Sequence, residues 1–292
     1  EGPGVRACWT NTWDAGALSF GEVMCFVDES PLTAPAGNVS LARVYRFLEG
    51  NIQMNQPDNV AFQPNSNALF VIEDNAQSIG ARCIATGDAK EMSGSIGHIG
   101  CTSFYPSKNL GCYGDGGAMI SRDEHLAHKI KMLANHGMEK RYYHDAIGVN
   151  SRLDSMQAAI LNVKLPHLDQ WNQKRRAAAD KYDQQLSSIS NVLIPARVAW
   201  SEHVFHQYTI RVTDGRRDEL QKYLAEHKIP SMIYYPVPMH EQAAFNKLVR
   251  RRVPLLQTEK ISKEVLSLPM HPDLGDDQIT YVCEHVAKFF NS

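Results

Sequence analysis

Hydrophobic and polar positions alternate without a sustained period over the first 67 residues, and no element is predicted there. The pattern sharpens at residues 69–73, a short apolar run rich in β-branched side chains and ended by Asp74, which predicts a buried strand. Residues 116–120 predict another. Over 123–137 the apolar positions Leu126, Ile130, Leu133 and Ala134 recur at helical spacing between an acidic start and a terminal glycine, predicting an amphipathic helix. Residues 151–165 repeat that pattern through Leu153, Met156, Ile160 and Val163, and Pro166 opens a second helix through Leu168, Trp171, Tyr182 and Leu186. These two read as a bridge between domains. After Pro195 come a strand over 204–212, a helix around 220–224, an extended stretch at 232–235 and a terminal helix through Ile279, Val282, Val286 and Phe289, the order of a small α+β domain.

Composition narrows the class. Of 292 residues, 43% are hydrophobic and 21% charged, and 19 glycines with 14 prolines are too few for a low-complexity or collagen-like chain. Thirty basic against thirty-two acidic side chains leave a formal charge of -2, without the basic excess expected of a nucleic-acid binder. No run reaches the roughly 18 apolar residues of a membrane span, and the N-terminus lacks a basic start followed by an apolar block. The expected compartment is the cytoplasm, with no membrane or nucleic-acid polymer as partner. Cys8, Cys25, Cys83, Cys101, Cys112 and Cys283 are scattered without a CxxC pair, so reduced thiols and no metal site are expected.

Two segments carry candidate chemistry. Asp74 ends a predicted strand, where open α/β sheets place ligands, although the same position suits an acid that caps the next segment. Lys108 lies in Ser-Phe-Tyr-Pro-Ser-Lys-Asn-Leu-Gly, residues 103–111, with Gly114, Gly116 and Gly117 following. Glycines allow close backbone approach, hydroxyls hold phosphate oxygens and lysine forms imines with carbonyl compounds. The alternative is a solvated lysine in a turn. The spacing of a P-loop is absent.

The stretches VIEDNAQSIGA (71–81), GSIGHIGCTSFYPSKNLGCYGDGGAM (94–119) and HGMEKRYYHDAIGVNSRLDSMQAAIL (136–161) closely resemble the DegT/DnrJ/StrS family. These are pyridoxal-phosphate (PLP) aminotransferases of nucleotide-linked sugars with the fold-type-I architecture. The resemblance implies an α/β fold, with a large mixed-sheet PLP domain over 1–165 and a smaller α+β domain with the bridging helix over 166–292. By position, Lys108 matches the imine-forming lysine, Asp74 the acid paired with the pyridine nitrogen, Gln77 a neighbour of the ring hydroxyl and Ser103 a phosphate contact. Asn150 resembles an asparagine that reaches the phosphate from a neighbouring subunit, which implies a homodimer with shared sites. Trp13, in a divergent version of a family segment, matches a residue stacked on the ring; a core or surface tryptophan is its other reading. The family's phosphate-gripping Ser-Gly-Thr motif is not found before Trp13, and the pattern between about 33 and 67 is blurred.

Later segments, residues 234–240 and 267–272, also resemble the family, and His240 stands there as a substrate-site or structural residue. Lys140, Arg141 and Tyr142 suit either a nucleotide diphosphate or a solvated loop. The implied reaction moves an amino group, from glutamate as donor, to a keto carbon of a nucleotide-diphosphate sugar, with Lys108 as proton shuttle. Three rivals remain: a PLP-dependent sugar dehydratase, which would carry His at the position of Lys108; a non-catalytic or regulatory PLP-binding relative; and a nicotinamide dehydrogenase, for which no GxGxxG follows a predicted strand.

Overall fold

The computed structural model describes residues 5–11, 22–28, 42–49, 59–62, 69–84, 90–245 and 255–291. The chain divides into two compact units, one of residues 1–168 with 199–203 and the other of 169–198 with 204–292. Among the described residues no helix is long and apolar enough to cross a membrane.

The first unit opens with β1 (Val5–Asn11), β2 (Glu22–Asp28), β3 (Ala42–Glu49) and β4 (Asn59–Phe62). These four strands run where the pattern predicts none. Each is rich in β-branched and aromatic residues, but charges such as Arg6, Glu22, Arg43 and Arg46 break the strict alternation on which a strand prediction rests. Then come β5 (Leu69–Asp74), β6 (Arg82–Ile84), β7 (Lys90–Met92), β8 (Ile99–Ser103) and β9 (Gly117–Ile120). A seven-stranded sheet has the order β3-β2-β1-β4-β5-β8-β9. It is mixed: β5 and β8 run parallel, in register at Asp74 and Cys101, and the other pairs are antiparallel.

Helix α1 (Glu124–Ala134) begins at Asp123, whose carboxylate accepts from the backbone N–H groups of His125 and Leu126. The turn after it uses Gly137, at φ +71°, whose added Cβ would meet the Ala146 carbonyl oxygen at 1.8 Å. A hairpin of β10 (Met138–Lys140) and β11 (Tyr143–His144) leads to α2 (Ser155–Lys164), capped by Asp154. The sequence predicts an apolar stripe through Met156 and Val163. Both are instead 72% exposed, and it is Leu161 that faces inward, joining Leu110, Cys112 and Leu168 in a small core.

At the end of the first unit Pro166 lies in a single 3-10 turn, and α3 (Leu168–Leu186) leads into the second. After β12 (Val192–Leu193) the chain returns to the first unit, where β13 (Ser201–Glu202) pairs with β6. The predicted 204–212 strand is shorter, β14 (Tyr208–Val212), because Phe205 adopts φ +44° and cannot extend. Then follow α4 (Arg217–Glu226), α5 (Leu256–Glu264), β15 (Val265–Leu268) and α6 (Asp276–Asn291). The antiparallel sheet β12-β14-β15 buries Tyr208, Ile210, Val212, Leu266 and Leu268 against Tyr182, Leu186, Leu220, Leu224, Ile279 and Val286. Buried Arg175 donates to the carbonyl oxygens of Phe205, His206 and Met270, and burial lowers its pKa to about 10. Of the predicted 232–235 strand, only Met232 pairs, bridging to Ser267.

Candidate active site

The carboxyl ends of the parallel pair β5 and β8 define one edge of the larger sheet, the place where α/β proteins gather ligands. Asp74 ends β5 with its carboxylate exposed, and Oδ1 accepts from the Ala76 backbone N–H at 3.0 Å. Asn75 turns the opposite way. Its side chain is buried, its N–H donates to the Cys101 carbonyl oxygen at 2.7 Å, and its Oδ1 accepts from the Ser78 hydroxyl at 2.8 Å. This anchors the turn that presents Asp74 on one side and exposed Gln77 on the other.

The sequence reading did not single out Glu73, one residue earlier. Its carboxylate accepts from the backbone N–H groups of Gly94 at 2.7 Å, Ile96 at 2.5 Å and Gly97, stitching residues 94–97 to the end of β5. A Cβ on Gly94, which sits at φ +88°, would fall 2.7 Å from the Asn75 amide nitrogen. The run GSIG therefore packs against the acidic turn. Neighbouring Cys101 has its thiol pKa raised, first by burial and then by the negative charge of Asp74, which places that carboxylate electrostatically next to β8.

Ser103 ends β8 half-buried, with its Oγ accepting from the Tyr105 N–H at 3.3 Å. The chain then makes a tight turn in which the Lys108 N–H donates to the Tyr105 carbonyl oxygen at 2.9 Å. Asn109, Leu110 and Cys112 beyond it are buried, while Lys108 is half-buried. The Cys112 N–H closes back on the Phe104 carbonyl oxygen at 2.8 Å, and Lys164 of α2 donates to the Gly111 carbonyl oxygen at 2.6 Å. Lys108 is thus held at its own backbone N–H, and the segment after it is tied down at Gly111 and Cys112. The role of Lys164 is not visible in the sequence, since it depends on a contact spanning 53 positions.

Asp74 and Ser103 therefore end an adjacent pair of parallel strands, and Gln77 and Lys108 lie in the turns that follow them. Other sequence-predicted residues do not join them by any bond described. Asn150 is exposed, bridges to Asn135 and accepts from Arg152 Nε at 2.9 Å. Lys140 and Arg141 lie on the exposed β10–β11 hairpin over the rings of Tyr143 and Tyr142, at 4.8 and 4.9 Å from the centroids. His240 belongs to the second unit, and Trp13 lies outside the described residues.

A family model for the DegT/DnrJ/EryC1/StrS aminotransferase family matches residues 53–287. The chain belongs to that family. It is 45% identical over 304 residues to a "pleiotropic regulatory protein" of Geobacillus stearothermophilus, covering 99% of this chain and 79% of the relative. It is also 44% identical over 222 residues to a UDP-N-acetyl-3-dehydro-alpha-D-glucosamine 3-aminotransferase of Acidithiobacillus ferrooxidans, covering 76% of this chain and 58% of that protein. Among solved structures, DesV of S. venezuelae in complex with a ketimine intermediate superposes with a TM-score of 0.70 at 38% identity, covering 76% of this chain and 58% of that one. The chain thus spans well under two thirds of the length of the second relative and of this structure. The likeness identifies the architecture as that of the fold-type-I aminotransferases.

Proposed function

We propose that this protein transfers an amino group, from glutamate as donor, to a keto carbon of a nucleotide-diphosphate sugar, with PLP as cofactor. The observation that carries the reading is that Asp74 ends β5 and Ser103 ends the adjacent parallel strand β8, with Lys108 in the turn that follows β8, inside a chain of this family. The donor set fits the cofactor: an exposed carboxylate for a pyridine nitrogen, a hydroxyl at Ser103 for phosphate oxygens and a backbone-anchored amine for the carbonyl carbon.

When bound, PLP supplies an electron sink for the electron pair released at the donor carbon. The Asp74 carboxylate would pair with the ring nitrogen and favour its protonated form. Lys108 Nζ would hold the cofactor at its carbonyl carbon and, as a free amine, would be the base and acid that carries a proton between the donor carbon and that cofactor carbon. Gln77 would neighbour the ring hydroxyl. Lys140, Arg141 and Tyr142 are assigned to the substrate diphosphate, as cations and a hydroxyl on a projecting hairpin.

We also infer a homodimer in which Asn150 serves the partner's site. Ile147, Val149, Met156 and Val163, which flank Asn150 in sequence, are 100%, 63%, 72% and 72% exposed in one chain, a surface that a second copy would cover. Lys108 at the imine position argues against a dehydratase. A regulatory reading is favoured by the name of the Geobacillus relative alone. Incubation with glutamate separates the two, because an aminotransferase converts its cofactor to the amine form and releases 2-oxoglutarate, and a regulator does not. Borohydride reduction followed by peptide mapping is expected to place the pyridoxyl group on the peptide holding Lys108. A label on any other lysine removes both the site and the mechanism.

A further inference from the structure

Away from the sheet end, the second unit gathers three metal-ligating side chains. The 3-10 turn Met239–Glu241 approaches α5, and His240 Nε2 lies 3.4 Å from Glu259 Oε1 and 4.0 Å from Glu241 Oε1. The three ligand atoms all fall within 4.8 Å of one another. The His240 side chain is only 9% exposed, and its Nε2 has no hydrogen-bond partner although a carboxylate oxygen stands within reach. A buried ring nitrogen aimed between two carboxylates without a hydrogen bond to either is costly as it stands.

We propose that His240, Glu241 and Glu259 form a binding site for one divalent cation of the zinc class. Zinc takes imidazole nitrogen and carboxylate oxygen at about 2.0–2.2 Å, and tetrahedral geometry then sets neighbouring ligand atoms roughly 3.3–3.5 Å apart. The His240–Glu259 spacing already meets that. Glu241, with 47% of its side chain exposed, stands 4.0 Å from His240 Nε2. The imidazole selects a borderline metal over magnesium or calcium, which prefer all-oxygen sets. Water completes the fourth position. The ion clips the 239–241 turn to α5. This reading is independent of the amino-transfer proposal.

The test uses the full chain, freed of any purification tag and stripped by chelator, titrated calorimetrically with Zn2+ alone. One site is expected that depends on these side chains, with Co2+ giving the visible absorption of a tetrahedral centre. Since even outer-shell partners of metal ligands are worth about 10- to 100-fold in affinity, His240→Ala and Glu259→Gln are each expected to weaken Zn2+ binding at least tenfold. Zinc should raise the thermal midpoint of the wild type and not of these variants. Glu241→Gln, at an exposed position, decides the matter if a buried variant fails to fold. Affinity unchanged in Glu241→Gln and in whichever buried variants fold, or no binding at about 1 mM Zn2+, overturns the site and leaves a histidine–carboxylate ion pair.

Discussion

Two adjacent acids at the end of β5 do different work, and the difference is electrostatic. Glu73 spends its charge on three backbone N–H groups of residues 94–97, whereas Asp74 accepts one local bond and stays exposed. Glu73→Gln should therefore cost about 2 kcal/mol, the size of a charge-assisted hydrogen-bond loss, read as a lower denaturant midpoint at unchanged slope. Asp74→Asn should leave stability nearly untouched and retain bound PLP. Its amino-transfer rate should fall by about 100-fold or more, as expected when a group facing developing charge is neutralised. Near-normal turnover in that variant takes Asp74 out of the mechanism. Both acids are legible in the sequence as EDNAQ, but only Asp74 invites a chemical reading there. The partners of Glu73 lie 21 to 24 positions downstream and are chosen by folding.

At the scale of elements, capping and periodicity carried most of the local structure. Asp123 and Asp154 start α1 and α2 by accepting from backbone N–H groups, as the acidic starts suggest. Packing between α4 and α6 adds a property no single helix shows. His285 Nδ1 of α6 lies 3.2 Å from the Tyr223 hydroxyl, its ring lies 4.2 Å from that of His227 between centroids, and it packs against Tyr281. Burial, then the neighbouring His227 and Lys288, lower its pKa from 6.5, with Glu284 opposing. A lowered folded value means that the unfolded chain takes up the proton first as pH falls. His285 thus contributes no pH-dependent loss above about pH 6.5, and stability should fall as the pH drops below it toward the folded value. Urea midpoints measured between about pH 8 and 5 should decline less steeply in His285→Gln than in wild type; parallel curves would exclude this histidine as the source.

Across the whole molecule, apolar side chains stand exposed where the sequence pattern expects a core. Met156 and Val163 have the spacing of a core stripe, yet the fold turns them outward. The proposed homodimer would cover them. Sharing is tested by co-assembling Lys108→Ala and Asn150→Ala subunits, each poorly active alone. A mixed dimer should regain activity at the one site that keeps Lys108 from one chain and Asn150 from the other, so that the mixed dimer approaches half the activity of the wild-type dimer. No recovery on mixing rules out a contact supplied in trans.

The sequence by itself determined the family, the strand and turn that carry Asp74 and Lys108, and the helices whose caps and periods are local. Those features depend on neighbours within a few positions or on a motif read as a string. Only the tertiary structure decided that Glu73 is an anchor, that Lys164 holds the Lys108 turn through the Gly111 carbonyl, and that α2 turns Leu161 rather than Met156 inward. It also decided that His240 meets Glu259 across 19 positions. Each of these is a long-range contact, and a pattern of polar and apolar letters records which residues seek partners without recording which partners the packed chain supplies.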